Sequence, residues 1–268
     1  MQQSRNKITS FIAQRMEMGE SEWYFSPPVA GVDDMAAQKP SPAADTPDAG
    51  VQADNAVPLT VGDDGGSHVC GAGNFDVSVI QTRNDLDSLN KTVCGCQRCP
   101  LGETRTKFVF GAGNPSSGLM FIGEAPGADE DREGIPFIGR AGKLLTSMIK
   151  AIKLERDDVF IGNILKCRPP GNRDPRTDEI AACEPILIRQ IEIIQPRVIC
   201  ALGRIAAATL LRSKSSLGAM RGVVHDYHGV KLIATYHPAA LLRNPHWKRP
   251  AWDDLKFLRR EYDGLEIT

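Results

Sequence analysis

Two uninterrupted apolar runs, Leu119–Ile122 and Val198–Leu202, constrain the fold of this chain most tightly. A strand with one solvated face alternates apolar and polar residues. A run with no polar break reads as a strand buried on both faces, which is the signature of a parallel sheet. Three more strands are expected at Phe108–Phe110, Val159–Ile164 and Lys231–Thr235. They alternate with helical patterns at Ala141–Ile152, Thr177–Ile194, Gly203–Leu211 and Ala251–Tyr262, and with a looser one over residues 76–92. Short apolar runs alternating with longer helical periods predict an α/β fold: a three-layer α/β/α sandwich around a mostly parallel sheet.

The remainder of the chain divides unevenly. Residues 1–25 contain one amphipathic pattern (Ile8, Phe11, Ile12, Met16, Met18), expected to be an N-terminal helix. Residues 26–75 hold Pro27, Pro28, Pro40, Pro42, Pro47 and Pro58 among many Ala, Gly and Asp residues. Such a stretch buries too little apolar surface to offset its ordering entropy, so a disordered linker is expected. The folded domain is expected over residues 76–268. The net charge of −1 conceals an asymmetry. Residues 1–90 hold 5 Lys/Arg against 13 Asp/Glu, and the other 27 and 20 fall in residues 91–268, giving −8 and +7. A basic body fits a polyanionic partner such as nucleic acid, although a surface of that charge is also ordinary. No apolar run approaches the ~20 residues that span a bilayer. The first residues lack the apolar core of a signal peptide, so a cytoplasmic protein is expected.

Chemistry concentrates at the predicted strand ends. After Leu119–Ile122 comes Gly123-Glu124-Ala125-Pro126-Gly127, then an acidic loop (Asp129, Glu130, Asp131, Glu133), then Pro136-Phe137 and a helix start at Gly139. That arrangement sets backbone N–H groups and one carboxylate at the carboxyl edge of the sheet, where open α/β sheets bind ligands. The next strand carries Asn163 to the same edge, followed by the proline-stiffened loop Lys166-Cys167-Arg168-Pro169-Pro170-Gly171-Asn172-Arg173. An amide offers a donor and an acceptor together, which suits a pyrimidine edge, but also suits a turn. The last strand delivers His237, followed by a loop with Arg243, Asn244, Lys248 and Arg249. A neutral imidazole can donate to an oxygen that gains negative charge.

Seven cysteines in a cytosolic chain argue for metal binding or catalysis rather than a disulfide framework. Cys96 and Cys99 have a chelating CxxC spacing; Cys167 and Cys183 can complete four thiolates. Spacing alone admits zinc or an iron–sulfur cluster, and Cys94 offers a second pairing with Cys96. Cys200, inside an apolar strand, reads as a small buried hydrophobe, and Cys70 falls in the linker. Gly139-Arg140-Ala141-Gly142-Lys143 has the wrong spacing for a phosphate loop, and Gly111-Ala112-Gly113 lacks the third glycine of a dinucleotide fingerprint.

Taken together, three stretches and the cysteine quartet resemble the iron–sulfur, thermophile-type uracil-DNA glycosylases (family four). The stretches are Gly123–Gly142, Asn163–Pro170 and Tyr236–Pro245, and the similarity covers about residues 92–262. The resemblance implies a uracil-DNA glycosylase-like sandwich with a [4Fe–4S] cluster on Cys96, Cys99, Cys167 and Cys183. It implies hydrolytic excision of uracil from DNA in base excision repair, leaving an abasic site. Phe137 would stack on the flipped uracil, Asn163 would read its edge and His237 would stabilise charge on O2. Glu124 would position or activate water, the backbone at Ala125 and Gly127 would contact the base, and Glu130 would crowd C5 and exclude thymine. Arg168, Arg173, Arg243, Asn244, Lys248 and Arg249 would meet the DNA. Uracil-containing DNA is the expected partner of a monomeric, nucleoid-associated enzyme, with the N-terminal segment recruiting a repair or replication protein. The alternative is a glycosylase-like protein that binds or covalently traps uracil DNA without turnover.

Overall fold

The computed structural model describes residues 73–264. The expected N-terminal helix and nearly all of the expected linker lie outside them. In chain order the elements are α1 (Val77–Gln81), α2 (Leu86–Val93), α3 (Leu101–Thr104), β1 (Ala112–Gly113), β2 (Leu119–Gly123), α4 (Ala128–Glu133) and α5 (Arg140–Ala151). There follow β3 (Phe160–Asn163), α6 (Thr177–Ile194), β4 (Val198–Leu202), α7 (Arg204–Leu211), α8 (Leu217–Met220), β5 (His225–Tyr227), β6 (Val230–Thr235), α9 (Pro238–Arg243) and α10 (Lys248–Asp263).

The six strands form one sheet in the order β1-β3-β2-β4-β6-β5. The inner four are parallel, and the two edge strands are antiparallel to their neighbours. The side-chain period of two divides each inner strand between two cores. Met120 and Ile122 of β2 join Ile199 and Ala201 of β4 in one core, under α1, α2, α6 and α7. Leu119 and Phe121 join Val198, Cys200 and Leu202 in the other, under α5 and α10. Cys200 is therefore the buried small hydrophobe its setting suggests. The α/β/α sandwich is the expected one.

The structure corrects the details. Phe108–Phe110 is not a strand; the edge strand is the two-residue β1, which follows it and pairs with β3. Sequence reading missed β5, because His225-Asp226-Tyr227 has no apolar run, yet it forms a hairpin with β6. The pattern over residues 76–92 is two helices, since Asp85 accepts from the Ser88 N–H (2.7 Å) and starts α2 afresh. Four of the residues read as an acidic loop lie in α4, whose first turn Glu130 caps through the Gly127 N–H (3.1 Å). Lys248 and Arg249 open α10 instead of lying in the preceding loop.

The sheet order places β2 between β3 and β4, so the chain leaves β2 to one side and later returns on the other. Such a reversal opens a crevice at the carboxyl ends of the strands. Two backbone bonds extend the pairing past the strand ends: Ile164 N–H to the Gly123 carbonyl (2.9 Å) and Leu165 N–H to the Glu124 carbonyl (3.0 Å). They fix the two loops that leave β2 and β3 against each other. Phe121 lies at the centre of this sheet with no exposed surface. Phe121→Ala is expected to cost about 3–5 kcal/mol, and Asp85→Ala about 1 kcal/mol. Urea midpoints at constant slope check both.

Candidate active site

The crevice is a cavity of about 370 Å³ whose lining includes Glu124, Ala125 and Gly127 from the β2 exit, Phe137 from the loop before α5, and Asn163 from β3. Asn172, Arg173 and Asp174 from the loop before α6 complete it, with His237, Ala239 and Arg243 from α9 and the residue before it. Residues far apart in the chain, Glu124, Phe137, Asn163 and His237, are thus brought together as sequence reading expects.

Each polar group has a distinct state. Asn163 is 2% exposed. Its Oδ1 is buried and accepts no hydrogen bond. Since a buried acceptor without a donor is costly, that atom is set to receive a donor from a ligand. His237 is the N-cap of α9, and its Nδ1 accepts from the Ala239 N–H (3.1 Å). With Nδ1 an acceptor, the neutral ring must carry its proton on Nε2. Burial, helped by the Arg243 guanidinium and opposed by Glu130, lowers His237 to about 4. The ring is a neutral donor at physiological pH. Burial also acts on Glu124: with the Asp174 carboxylate it raises the acid to about 7, against the pull of Arg204. Glu124 is therefore poised between acid and carboxylate near neutrality.

Phe137 is buried, lies 5.6 Å from the His237 ring between centroids, and adopts a left-handed backbone (φ 52). That conformation is costly for an aromatic residue and must be imposed from outside. The imposing contacts are visible. Glu130 Oε1 accepts from the Ile138 and Gly139 N–H groups (both 3.0 Å). Arg156 donates to the Pro136 carbonyl (2.6 Å). Position 142 has no room for a side chain, because a Cβ there would lie 1.8 Å from the Phe137 carbonyl oxygen.

The expected DNA-contacting cations separate into two groups. Arg173 forms an ion pair with the buried Glu179 (2.9 Å), and Arg168 donates to Asn172 Oδ1 (2.8 Å), so both brace the loop before α6. Arg243, Lys248 and Arg249 are exposed. Asn244 donates Nδ2 to the Ala240 carbonyl (3.3 Å). Sequence reading missed Asp174, Arg204 and Arg156. Each has a local signal only in hindsight: Asp174 and Arg204 flank residues already at the sheet edge, while Arg156 reaches Pro136 from a distant turn.

Beside the pocket, Cys167 and Cys183 pack in one small apolar cluster with Leu101 and Leu165, and Cys99 packs against it. Cys96, Cys99, Cys167 and Cys183 all lie within electrostatic reach of one another through Cys96 and Cys167. Burial pushes the Cys167 thiol up to about 11 and the Cys183 thiol up to about 12. Sulfur-directed donors are present: Lys166 N–H to Cys183 (3.3 Å) and Arg105 to Cys167 (3.5 Å). Among the described residues, no three His, Cys, Asp or Glu side chains converge closely enough for a single metal ion.

A mostly parallel sheet covered on both faces, with a carboxylate, an amide and a neutral histidine at its switch point, defines the class of an α/β enzyme with its site at the strand ends. The chain belongs to the uracil DNA glycosylase superfamily, whose family model matches residues 110–256. It is 48% identical over 185 residues to a Type-4 uracil-DNA glycosylase of Sulfurisphaera tokodaii, covering 66% of this chain and 84% of that protein. It is 44% identical over 179 residues to a Type-4 uracil-DNA glycosylase of Archaeoglobus fulgidus, covering 64% and 90%. A Type-5 uracil-DNA glycosylase of Pyrobaculum aerophilum is more distant, at 32% over 146 residues, covering 48% and 64%. Among the described residues no helix is long and apolar enough to cross a membrane.

The histidine assignment gives a direct test. Nitrogen-detected NMR should show the His237 ring neutral, protonated on Nε2, and not titrating between pH 5 and 8. Free histidine titrates near 6.5 and the folded ring near 4. The unfolded chain therefore binds the extra proton in that interval, and this residue's contribution to stability falls as pH drops through it.

Proposed function

We propose that this pocket excises uracil from DNA with Asn163 as the base reader, His237 as the electrophile and Glu124 as the residue that activates water. The chain is a uracil-DNA glycosylase, a hydrolase of N-glycosyl bonds acting in DNA repair. The single observation that carries the residue roles is the buried, unsatisfied Asn163 Oδ1 at the cavity floor. Uracil has what that atom lacks: an N3–H donor beside the O4 acceptor that the Asn163 Nδ2 group can satisfy. Cytosine carries no proton at N3 and presents a donor in place of O4, so it would leave both ends of the amide mismatched.

A base inside a duplex must be extruded to reach the cavity, at a cost of a few kcal/mol. Stacking on Phe137 offsets roughly 1–3 kcal/mol of it. As the glycosidic bond breaks, the electron pair passes to the base and negative charge develops on its oxygens. The His237 Nε2–H donates to O2 without transferring a full proton, which suits a ring whose cation is disfavoured. Glu124 as carboxylate accepts a proton from water attacking the sugar carbon. Glu130 acts through its hold on Gly127, Ile138 and Gly139, which keeps the C5 wall of the cavity rigid against thymine. The exposed Arg243, Lys248 and Arg249 supply phosphate contacts.

The four cysteines suit a [4Fe–4S] cluster. The donor set is four cysteine sulfurs, and N–H groups are aimed at two of them, which suits thiolates held by an iron–sulfur cluster. Its contribution is structural, tying residues 96–99 to the loop that carries Arg168 and Arg173.

A single-turnover assay on an oligonucleotide with one uracil, followed by alkali and a denaturing gel, tests the reading against a thymine control. Strand scission at uracil alone is expected; a heat-stable protein–DNA adduct with no abasic product would overturn it. The wild-type rate should rise with pH through about 7 and level off, as Glu124 becomes carboxylate. Glu124→Gln should lose about 10²–10⁴-fold and flatten that profile. His237→Leu should lose about 10²–10³-fold with DNA affinity kept.

A further inference from the structure

Strand β6 ends on Thr235, and His237 stands two residues beyond it. The imidazole can serve a base oxygen only if that strand end is held, since a misplacement of about 1 Å costs on the order of 10²-fold in rate. The Asp254 carboxylate reaches the strand end from α10. Asp254 is 4% exposed, and Thr235 has no exposed surface. Asp254 Oδ2 accepts from the Thr235 hydroxyl (2.6 Å) and from Arg221 Nε (2.7 Å). Its Oδ1 accepts from Arg221 Nη2 (3.0 Å). The same guanidinium donates Nη2 to the Pro250 carbonyl (2.7 Å) and Nη1 to the Tyr236 hydroxyl (3.2 Å). Its central carbon lies 4.2 Å from the centroid of the Tyr236 ring, and that ring stacks on Trp247 at 5.1 Å. Tyr236 is the one residue between Thr235 and His237.

We propose that the Asp254–Arg221 pair positions His237: it fixes Thr235 and Tyr236, and through Tyr236 and Trp247 it ties the histidine to the segment that carries Lys248 and Arg249. The inference rests on the reading of His237 as the electrophile. One carboxylate receives three donors, two from a planar fork and one from a hydroxyl, so the buried charge is satisfied and its geometry is fixed. Stability alone does not call for such a pair, because apolar side chains of similar volume often replace a buried ion pair with no loss. What the pair supplies is placement. It joins three separate parts of the chain: α10, the end of β6, and the residue that follows α8. The Thr235 carbonyl is held as well, accepting from the Gly203 N–H (2.8 Å) just past β4. The strand end is therefore gripped by its backbone from the neighbouring strand and by its side chain from the helix layer. Neither Asp254 nor Arg221 lines the cavity. Both are positioning residues, which act through residues 235 and 236.

Thr235→Val removes one hydroxyl and keeps the shape of the side chain; Asp254→Asn removes the charge. Single-turnover rates at saturating enzyme are measured for each in the full chain and again in a His237→Leu background. Affinity for a duplex carrying 2′-fluorodeoxyuridine is read separately. Each variant is expected to lose about tenfold to a hundredfold in the chemical step, with affinity within about twofold of wild type. In the His237→Leu background the same changes should cost less than about twofold, because the group they position is gone. A brace of general stability would cost the same in both backgrounds, and that result would overturn the proposal. Wild-type rates in the folded variants, or a loss confined to affinity, would overturn it too. Should Asp254→Asn not fold, Thr235→Val decides alone. A His237→Leu enzyme with the wild-type rate would remove the histidine reading and this inference with it; a slow one beside an unimpaired Thr235→Val would remove the inference alone.

Discussion

The pocket depends on the empty space at Gly123. A Cβ there would stand 2.4 Å from Asn163 Oδ1 and 2.5 Å from the Phe137 ring. No carbon atom fits at those distances, so β2 must end on glycine for the amide and the ring to share one site. The constraint follows from parallel pairing, because Gly123 sits in register with Asn163 on the adjacent strand. Side chains at paired positions point to the same face, and only one of the two can occupy the space above the strand end. The sheet resolves the conflict by giving β3 the side chain and β2 none. Phe137 then closes over the gap, held in its left-handed backbone by Glu130 on one side and Arg156 on the other.

The same burial that shapes the cavity sets its chemistry. Taking a group out of water disfavours its charged form, whatever the sign. His237 is therefore held neutral and able to donate, while Glu124 is held close to its proton. The nearby charges reinforce each trend: Arg243 against the imidazolium, Asp174 against the carboxylate. The stability consequences have opposite signs. Between 4.5 and about 7 the folded chain holds the Glu124 proton more tightly than the unfolded chain does, so that residue's contribution to stability falls as pH rises. His237 penalises folding at lower pH, between 6.5 and about 4. Both costs belong to the active arrangement, which is the usual bargain at a preorganised site.

How much of this was legible in the sequence follows from the range of the forces involved. The inner strands β2, β4 and β6, and helices such as α6, write their burial into local apolar period, and their positions follow from it. Edge strands do not: β1 has two residues and β5 has the sequence His225-Asp226-Tyr227, and each exists only because a neighbour offers an unpaired edge. The site residues at strand ends were readable because glycine, proline and a lone polar group mark the place where a strand stops. Arg156 and Asp174 were not, because their effects depend on which turn folds back over which loop. Arg173 reads in the sequence as a cation for phosphate, and the fold shows it also paired with the buried Glu179 carboxylate. A sequence shows that a charge is present; only the fold shows whether it is already spent.

That distinction also bears on the cysteines. Cys167 and Cys183 bracket the segment that supplies Pro169, Asn172, Arg173 and Asp174 to the cavity. Up to Arg176 that segment carries no regular structure beyond one short turn at Pro170–Asn172, and α6 begins at Thr177. It is braced within by Arg168 to Asn172 and by Arg173 to Glu179. Internal braces fix a loop's shape but not its placement relative to the strand that faces it. On the reading that all four thiolates share one iron–sulfur group, both ends of the segment are fastened to residues 96–99 as well as to β3 and α6, and the wall across from Phe137 and His237 gains a further hold. Asp174 then stands at a fixed distance from Glu124, and the raised proton affinity of that acid becomes a property of the folded frame instead of an average over loop positions.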